Sequence, residues 1–249
     1  MTATLKRAIV TGSASGIGAA TILELARLGY DTVGIDIQLA LAQDIAGQGT
    51  AIAGRHTALH ADVADEEQLS AAMAGAAQWL GGLDALVTSA GVAITIPFMQ
   101  QTAADFRRMH DVNVIGTFVA IREAAKVMEP GSRICTVASV AGLRGGGLMG
   151  TAAYAASKGA VLALTKNAAR SLAGLGIAVN TIAPGSTRTP MTESLSHDPA
   201  QRARVEGMIL QSRTASAHEI AASIGYLLSA QASYVNGATL VVDGGLALY

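Results

Sequence analysis

Cysteine is nearly absent from this sequence, with Cys135 alone in 249 residues. A lone thiol has no partner for an intrachain disulfide, and no Cys/His spacing suited to zinc occurs, so a metal site is not expected and a reducing compartment is. An excess of charge of one sign is missing too. With 17 Lys+Arg against 18 Asp+Glu the formal net charge is −1, which leaves no field to draw in nucleic acid or an anionic membrane. Aromatic residues are 4% and charged residues 14%, against 51% hydrophobic. The apolar content is therefore aliphatic and small, which excludes disordered and collagen-like chains and suits packed helices and buried strands. Long unbroken apolar runs are also lacking. The uncharged stretches 85–104 and 220–242 are interrupted by Pro97 with Gln100 and Gln101, and by Ser233 with Asn236 and Gly237, so they read as strand, loop and helix. Residues 1–7 lead into Ala8-Ile9-Val10 without an extended apolar stretch, and neither a signal peptide nor an anchor is expected; the expected location is cytoplasmic.

What is present is alternation. Short β-type runs at 7–11, 32–35, 85–88, 133–138, 178–182 and 239–242, with a weaker one at 56–60, are separated by helical spacings such as Leu69, Met73, Ala76 and Leu80. Runs such as Ala85-Leu86-Val87 and Leu240-Val241-Val242 show no polar alternation, as expected of parallel strands covered on both faces. The expectation is an α/β fold, a Rossmann-type doubly wound parallel sheet of about seven strands with helices on both faces, in one domain spanning 1–249. Long helices are expected over 102–128 and 152–172. Residues 187–213 depart from the pattern, with Pro190, His197, Asp198, Arg202, Arg204 and Glu206 crowded beyond Pro184-Gly185. That segment is either a surface excursion or a substrate lid over the carboxyl ends of the strands, where ligands bind in open α/β sheets.

The first strand is followed by Thr11-Gly12-Ser13-Ala14-Ser15-Gly16-Ile17-Gly18 and then a helical pattern. Glycines there let the backbone turn tightly, approach a pyrophosphate and pack the helix on the sheet, while the helix N-terminus offers unpaired N–H groups. A glycine turn alone also joins strands to helices without binding anything; its place between the first strand and first helix is what points to a dinucleotide. Eighteen residues past Gly18, Asp36 ends the second strand. The carboxylate there either accepts hydrogen bonds from the ribose hydroxyls of NAD, repelling the extra phosphate of NADP, or caps the next helix. Ser13, Ser15 and Ile37 bring no cation that would favour the phosphate. Asp62-Val63 ends the third strand near where an adenine would lie, and Ser89-Ala90-Gly91 ends the fourth. Tyr154 and Lys158 stand four residues apart, neighbours on one helical face. A phenol beside an ammonium is an acid/base pair when the cation lowers the phenol toward neutrality, and otherwise an ordinary helix surface.

Taken together, Thr11 to Gly18, Asp36, Asp62, Asn113, Ser139, Tyr154 with Lys158, Pro184-Gly185 and the terminal run from Tyr234 to Gly245 resemble the short-chain dehydrogenase/reductase family over essentially the whole chain. The resemblance implies Tyr154 as general acid/base, Lys158 as the group that depresses its pKa and binds the nicotinamide ribose, Ser139 as hydrogen-bond partner of the substrate oxygen, and Asn113 as holder of a relay water. It implies cofactor contacts at Gly12, Ser15, Gly16, Ile17, Gly18, Asp36, Asp62, Val63, Ser89, Ala90, Gly91, Tyr154, Lys158, Pro184, Gly185, Thr187 and Thr189. It also implies a homotetramer, to which the apolar faces of the helices at 102–128 and 152–172 contribute independently.

Two departures stand out. The family usually carries two asparagines before Ala-Gly, where this chain has Thr88-Ser89, and Ser139 and Tyr154 are 15 residues apart, slightly more than is common, with Gly145-Gly146-Gly147 between them. Pocket residues are expected from 94–98, 140–151 and 187–213, with Arg144 and His197 as isolated polar candidates. The function expected is NAD-dependent, reversible hydride transfer to or from a secondary alcohol/ketone pair such as a polyol, cyclic or aryl alcohol. The alternatives are a 3-oxoacyl-thioester reductase, against which Asp36 argues, and a non-catalytic NAD-sensing protein, whose signature would be a missing Tyr154 or Lys158.

Overall fold

Successive residues of the first strand bury themselves on opposite sides: Ala8 and Val10 join one apolar cluster, Ile9 another. A strand buried on both faces must be the middle layer of three. The computed structural model describes residues 6–146, 151–196 and 198–248. In chain order the elements are β1 Lys6–Thr11, α1 Gly16–Arg27, β2 Tyr30–Asp36, α2 Leu39–Ile52, β3 His56–His60, α3 Glu66–Leu80 and β4 Leu83–Thr88. Next come α4 Ala103–His110, a π-helical turn Asp111–Ile115, α5 Gly116–Ala125, β5 Met128–Val137, α6 Val140–Arg144, α7 Ala152–Leu172 and β6 Ala178–Pro184. The chain closes with β7 Thr187–Arg188, α8 Pro190–Ser196, α9 Pro199–Gly207, β8 Ala215–Ser216, α10 Ala217–Leu228 and β9 Thr239–Val242.

Seven strands form one parallel sheet in the order β3-β2-β1-β4-β5-β6-β9, and β7 pairs with β8 apart from it. On one face α3, α5 and α7 bury Leu69, Met73, Val119, Ala120 and Ala168 against Ile9, Val33, Leu86 and Ile134. On the other, Ile22 and Leu25 of α1 and Ile220, Ile224 and Leu227 of α10 cover Val10, Val87 and Ile182. The chain winds one way from β1 to β3 and the other way from β4 onward, so the switch lies between β1 and β4, where a crevice opens at the strands' carboxyl ends. Among the described residues no helix is long and apolar enough to cross a membrane.

Three sequence expectations are corrected. Strand β2 starts two residues before 32, because Asp31 is buried and neutralised by Arg55 at 2.8 Å, which hides a charged residue inside a strand. Strand β5 starts at Met128: Leu83 pairs with Met128 but Ala85 with Arg133, so the residues between bulge out of the ladder and carry a polar, Pro- and Gly-containing sequence. The helix expected over 102–128 is not continuous. It is interrupted by the π-helical turn at Asp111–Ile115 and ends at Ala125. The polar excursion at 187–213 contains β7, α8 and α9, and its Val205 and Ile209 pack on Val140 and Leu246.

Candidate active site

The turn after β1 is built on contacts that only glycine permits. Gly12 has φ +72°, and a Cβ there would lie 2.6 Å from the Ala90 backbone; a Cβ on Gly18 would overlap the Gly12 carbonyl oxygen. The β1–α1 turn is thereby pressed onto the end of β4, where Ser89 N donates to Thr11 O at 3.1 Å. Ser15 caps α1 with extended backbone and makes no side-chain cap bond, so the first amides of α1 face the crevice without a side-chain acceptor. Asp36 ties β2 to this turn. Its carboxylate accepts from Ala14 N and from Gln38 N, both at 2.9 Å, so it braces the glycine turn and the entry to α2 at once. Asp62 accepts from Ala64 N at 2.9 Å.

These residues line a groove of about 560 Å³ that runs from Asp36 past Gly12 and Ser89 to Tyr154, Lys158 and Thr187. Of the cofactor-contact residues expected from sequence, all but Gly18 line it; Gly18 lies beneath, as a packing glycine. Arg108 and Val112, which the sequence reading did not single out, line it as well. Arg108 sits on a polar helical face, and without the fold nothing marks which charged residue of α4 faces the crevice. The Thr88 hydroxyl, where the family usually has asparagine, is buried and has no hydrogen-bond partner among the described residues.

At the far end of the groove four segments converge. Ser139 caps α6, its hydroxyl accepting from Ala141 N at 3.1 Å and sharing a hydrogen bond with the Tyr154 phenol. Tyr154 and Lys158 stand one turn apart on α7, the ammonium 5.9 Å from the ring centroid. Lys158 is buried and donates to Val137 O at 2.8 Å. Burial lowers its pKa to about 8. Burial raises the Tyr154 phenol above its usual value, with the Ser139 bond opposing. Removal from water is thus the larger influence on the phenol and the Ser139 bond the smaller.

Asn113 does not line either cavity. It is fully buried in the π-helical turn, its amide accepting from Val92 N at 2.9 Å and donating to Val92 O and to Ser157 Oγ. Ser157 in turn donates to Tyr154 O at 2.7 Å, so the Asn113 side chain clamps the loop after β4 to the helix that carries Tyr154. The expectation of a water held by Asn113 falls on its side chain least of all, since the amide is already committed; its carbonyl accepts from Thr117 Oγ1.

A second cavity, about 540 Å³, opens on the other side of Ser139 and Tyr154, and Gly185, Thr187, Thr189 and Thr192 line both. Thr192 Oγ1 donates to Thr187 O at 2.7 Å and accepts from Thr189 N at 3.0 Å, fixing the shared rim. Residues 94–98, expected in this pocket, are not in it; only the neighbouring Ala93 is. Thr151 and Gln101 bond the Ile94 and Ile96 carbonyls and hold that loop along the start of α7, and Phe98 is left exposed. Arg144 and Gly146 line the cavity as expected, together with Arg188, Glu193, Arg202 and Glu206; His197 and Gly147 lie outside the described residues.

Residues 12–247 match the family profile described as enoyl-(acyl carrier protein) reductase. The chain is 36% identical over 247 residues to the trans-4-hydroxycyclohexanecarboxylate dehydrogenase of Sinomonas cyclohexanicum, covering 96% of this chain and 92% of that one. It is 33% identical over 250 residues to the 3-oxoacyl-[acyl-carrier-protein] reductase of Synechocystis sp., covering 99% and 98%. Among solved structures, a blue fluorescent protein from a metagenomic library in complex with NADPH superimposes with a TM-score of 0.90 at 33% identity, over 97% of this chain and 98% of that one. Agreement of this extent makes the chain a member of the short-chain dehydrogenase/reductase family, an oxidoreductase.

Proposed function

We propose that the protein interconverts a secondary alcohol and its ketone with a nicotinamide dinucleotide, NAD in preference to NADP. The observation that carries this reading is the junction of two cavities at one pair of hydroxyls: the groove behind Ser139 and Tyr154 offers a glycine turn and about 560 Å³ to a dinucleotide, and the cavity in front offers about 540 Å³ to a substrate. The glycine turn fits a pyrophosphate, since backbone amides face the crevice where no side chain can stand. Gly12, Ser15, Gly16 and Ile17 would hold the phosphates, Asp36 the adenosine ribose, Asp62 and Val63 the adenine edge, and Ser89, Ala90 and Gly91 the middle. Pro184, Gly185, Thr187 and Thr189 would hold the nicotinamide end with Lys158. The bound dinucleotide supplies or accepts the hydride.

Tyr154 gives its phenolic proton to the carbonyl oxygen in reduction and takes the hydroxyl proton in oxidation. Its pKa, raised by burial, keeps it protonated at neutral pH and makes it ready as the acid. Ser139 donates to the same oxygen, where negative charge develops. Lys158 places a positive charge behind the phenol, and Asn113 acts as a positioning residue through Ser157. Segment 187–213 serves as the substrate lid. Thioester reduction is the competing reading, favoured by the Synechocystis relative; Asp36 weighs against the extra phosphate of the dinucleotide such reductions generally use. We also propose self-association to a homotetramer, since Ile115 and Phe118 remain 45% and 47% exposed along α5 and the turn before it, and a cytoplasmic location. Initial rates with NAD or NADP and a panel of cyclic alcohols, aryl alcohols and a 3-oxoacyl thioester separate the readings, and light scattering that finds a monomer removes the tetramer.

A further inference from the structure

The cavity in front of Ser139 and Tyr154 is more charged than the chain that builds it. Only 14% of the sequence is charged, yet Arg144, Arg188, Glu193, Arg202 and Glu206 all line this one space. Its inner wall is aliphatic, with Val140, Val205 and Leu246 packed in one cluster. Charges at the rim of an apolar pocket fix the orientation of whatever enters it. Glu193 and Arg202 have interactions of their own. Arg144 gives one amino group to Leu246 O at 3.1 Å, which ties α6 to the C-terminal segment and leaves the rest of its fork available. The Arg188 guanidinium has no hydrogen-bond or ion-pair partner among the described residues, and the Glu206 carboxylate has none either.

The backbone that carries Arg188 is held on both sides. Thr187 and Arg188 pair with Ala215 and Ser216, and Thr192 Oγ1 bonds the Thr187 carbonyl and the Thr189 amide that flank the arginine. The strand that carries Arg188 is thus fixed beside the cofactor groove, and the exposed side chain lines the cavity with its charge not consumed by the described residues. Two forked donors against one uncommitted carboxylate leave the rim positive. A guanidinium recognises a planar carboxylate through paired N–H donors.

Resting on the reading of this cavity as the substrate site, we propose that its ligand carries a carboxylate on the carbon framework away from the reacting carbinol, and that Arg188, with Arg144, forms the subsite that holds it.

The test is binding to the enzyme–NADH complex, followed by calorimetry, with three probes of one ring: cyclohexanecarboxylate, the isosteric cyclohexanecarboxamide, and cyclohexyl phosphate. The carboxylate is expected to bind at least about ten-fold more tightly than the amide, a difference of 1.4 kcal/mol. Arg188→Ala and Arg188→Gln should each erase most of that advantage, and Arg188→Lys should keep part of it. Equal binding of acid and amide, or an advantage that survives Arg188→Ala in a protein that still binds NADH, overturns the proposal. Tighter binding of the phosphate than of the carboxylate overturns the choice of anion. Turnover is measured separately, as kcat/KM for 4-hydroxycyclohexanecarboxylate against cyclohexanol. If neither is oxidised, the alcohol reading fails while the anion subsite stands or falls on the binding data; if both are oxidised equally well, the alcohol reading holds and the subsite does not.

Discussion

Replacing Lys158 with methionine should remove activity without destabilising the protein near neutral pH, and should change how stability responds to alkali. Lys158 is 5% exposed, and burial brings its ammonium from the usual 10.5 down to about 8. At about 1.4 kcal/mol per pH unit this corresponds to roughly 3 kcal/mol of destabilisation. That cost is fully present below about pH 8, where the ammonium is charged in both folded and unfolded chains. Between pH 8 and 10.5 the folded side chain loses its proton while the unfolded chain keeps one, so stability rises with pH, and above 10.5 the cost is gone. Methionine fills the space of the stem but leaves the Val137 carbonyl without the donor at 2.8 Å, a loss of about 1–3 kcal/mol. The variant should therefore lie between equal stability and about 2 kcal/mol more stable at pH 7, and lose roughly 3 kcal/mol relative to wild type as the pH approaches 10.5. Paired urea titrations of cofactor-free wild type and Lys158→Met across this range give the difference, because groups remote from Lys158 titrate alike in both proteins. A gap that stays constant with pH would refute the reasoning, since the ammonium would then titrate alike in both states.

The remaining expectations concern the cofactor and the reaction. NAD should exceed NADP by about ten- to a thousand-fold in kcat/KM, because like charges at about 4 Å cost on the order of 1–4 kcal/mol; Asp36→Ala with Ile37→Arg should shift the preference toward NADP, and equal wild-type rates with both cofactors would show that Asp36 does not meet the ribose. Because Asp36 also braces Ala14 and Gln38, the double variant should melt earlier than wild type as well. Gly18→Ala, whose new methyl would meet the Gly12 carbonyl, should abolish NADH binding and destabilise by about 1–3 kcal/mol, read by fluorescence and thermal melting. With the phenol raised above its usual value, alcohol oxidation should climb with pH up to about 8, where the Lys158 ammonium begins to lose its charge; an oxidation rate that does not rise between pH 6 and about 8 would assign the proton to another group.

The sheet and the groove were legible in the sequence because their signals are local: glycines where backbones meet, apolar runs where strands are buried, an acid at a strand end. What was not legible depends on contacts between distant segments. Asp31 reads as a strand breaker until Arg55 is placed on it. The π-helical turn has no composition of its own, and that its Asn113 reaches Val92 and Ser157 appears only in the fold. Tyr154 and Lys158 are neighbours by spacing alone, but the direction of each pKa follows from how deeply the fold buries them. Arg188 lies within the expected pocket segment 187–213 but is not singled out by the sequence, since its place on the cavity depends on the pairing of β7 with β8.

The central claim is that the Tyr154 phenol moves the proton while hydride moves to or from nicotinamide at the same carbon. It is tested most directly by following NADH consumption with a cyclic ketone in wild-type and Tyr154→Phe proteins, with NADH binding measured in parallel by fluorescence. Wild type should oxidise one NADH per ketone reduced, and the variant should bind NADH nearly as well while losing about 10²–10⁴-fold in rate. A variant that keeps more than about a tenth of the wild-type rate, a loss under 1.4 kcal/mol, would contradict the assignment of Tyr154 as the proton donor.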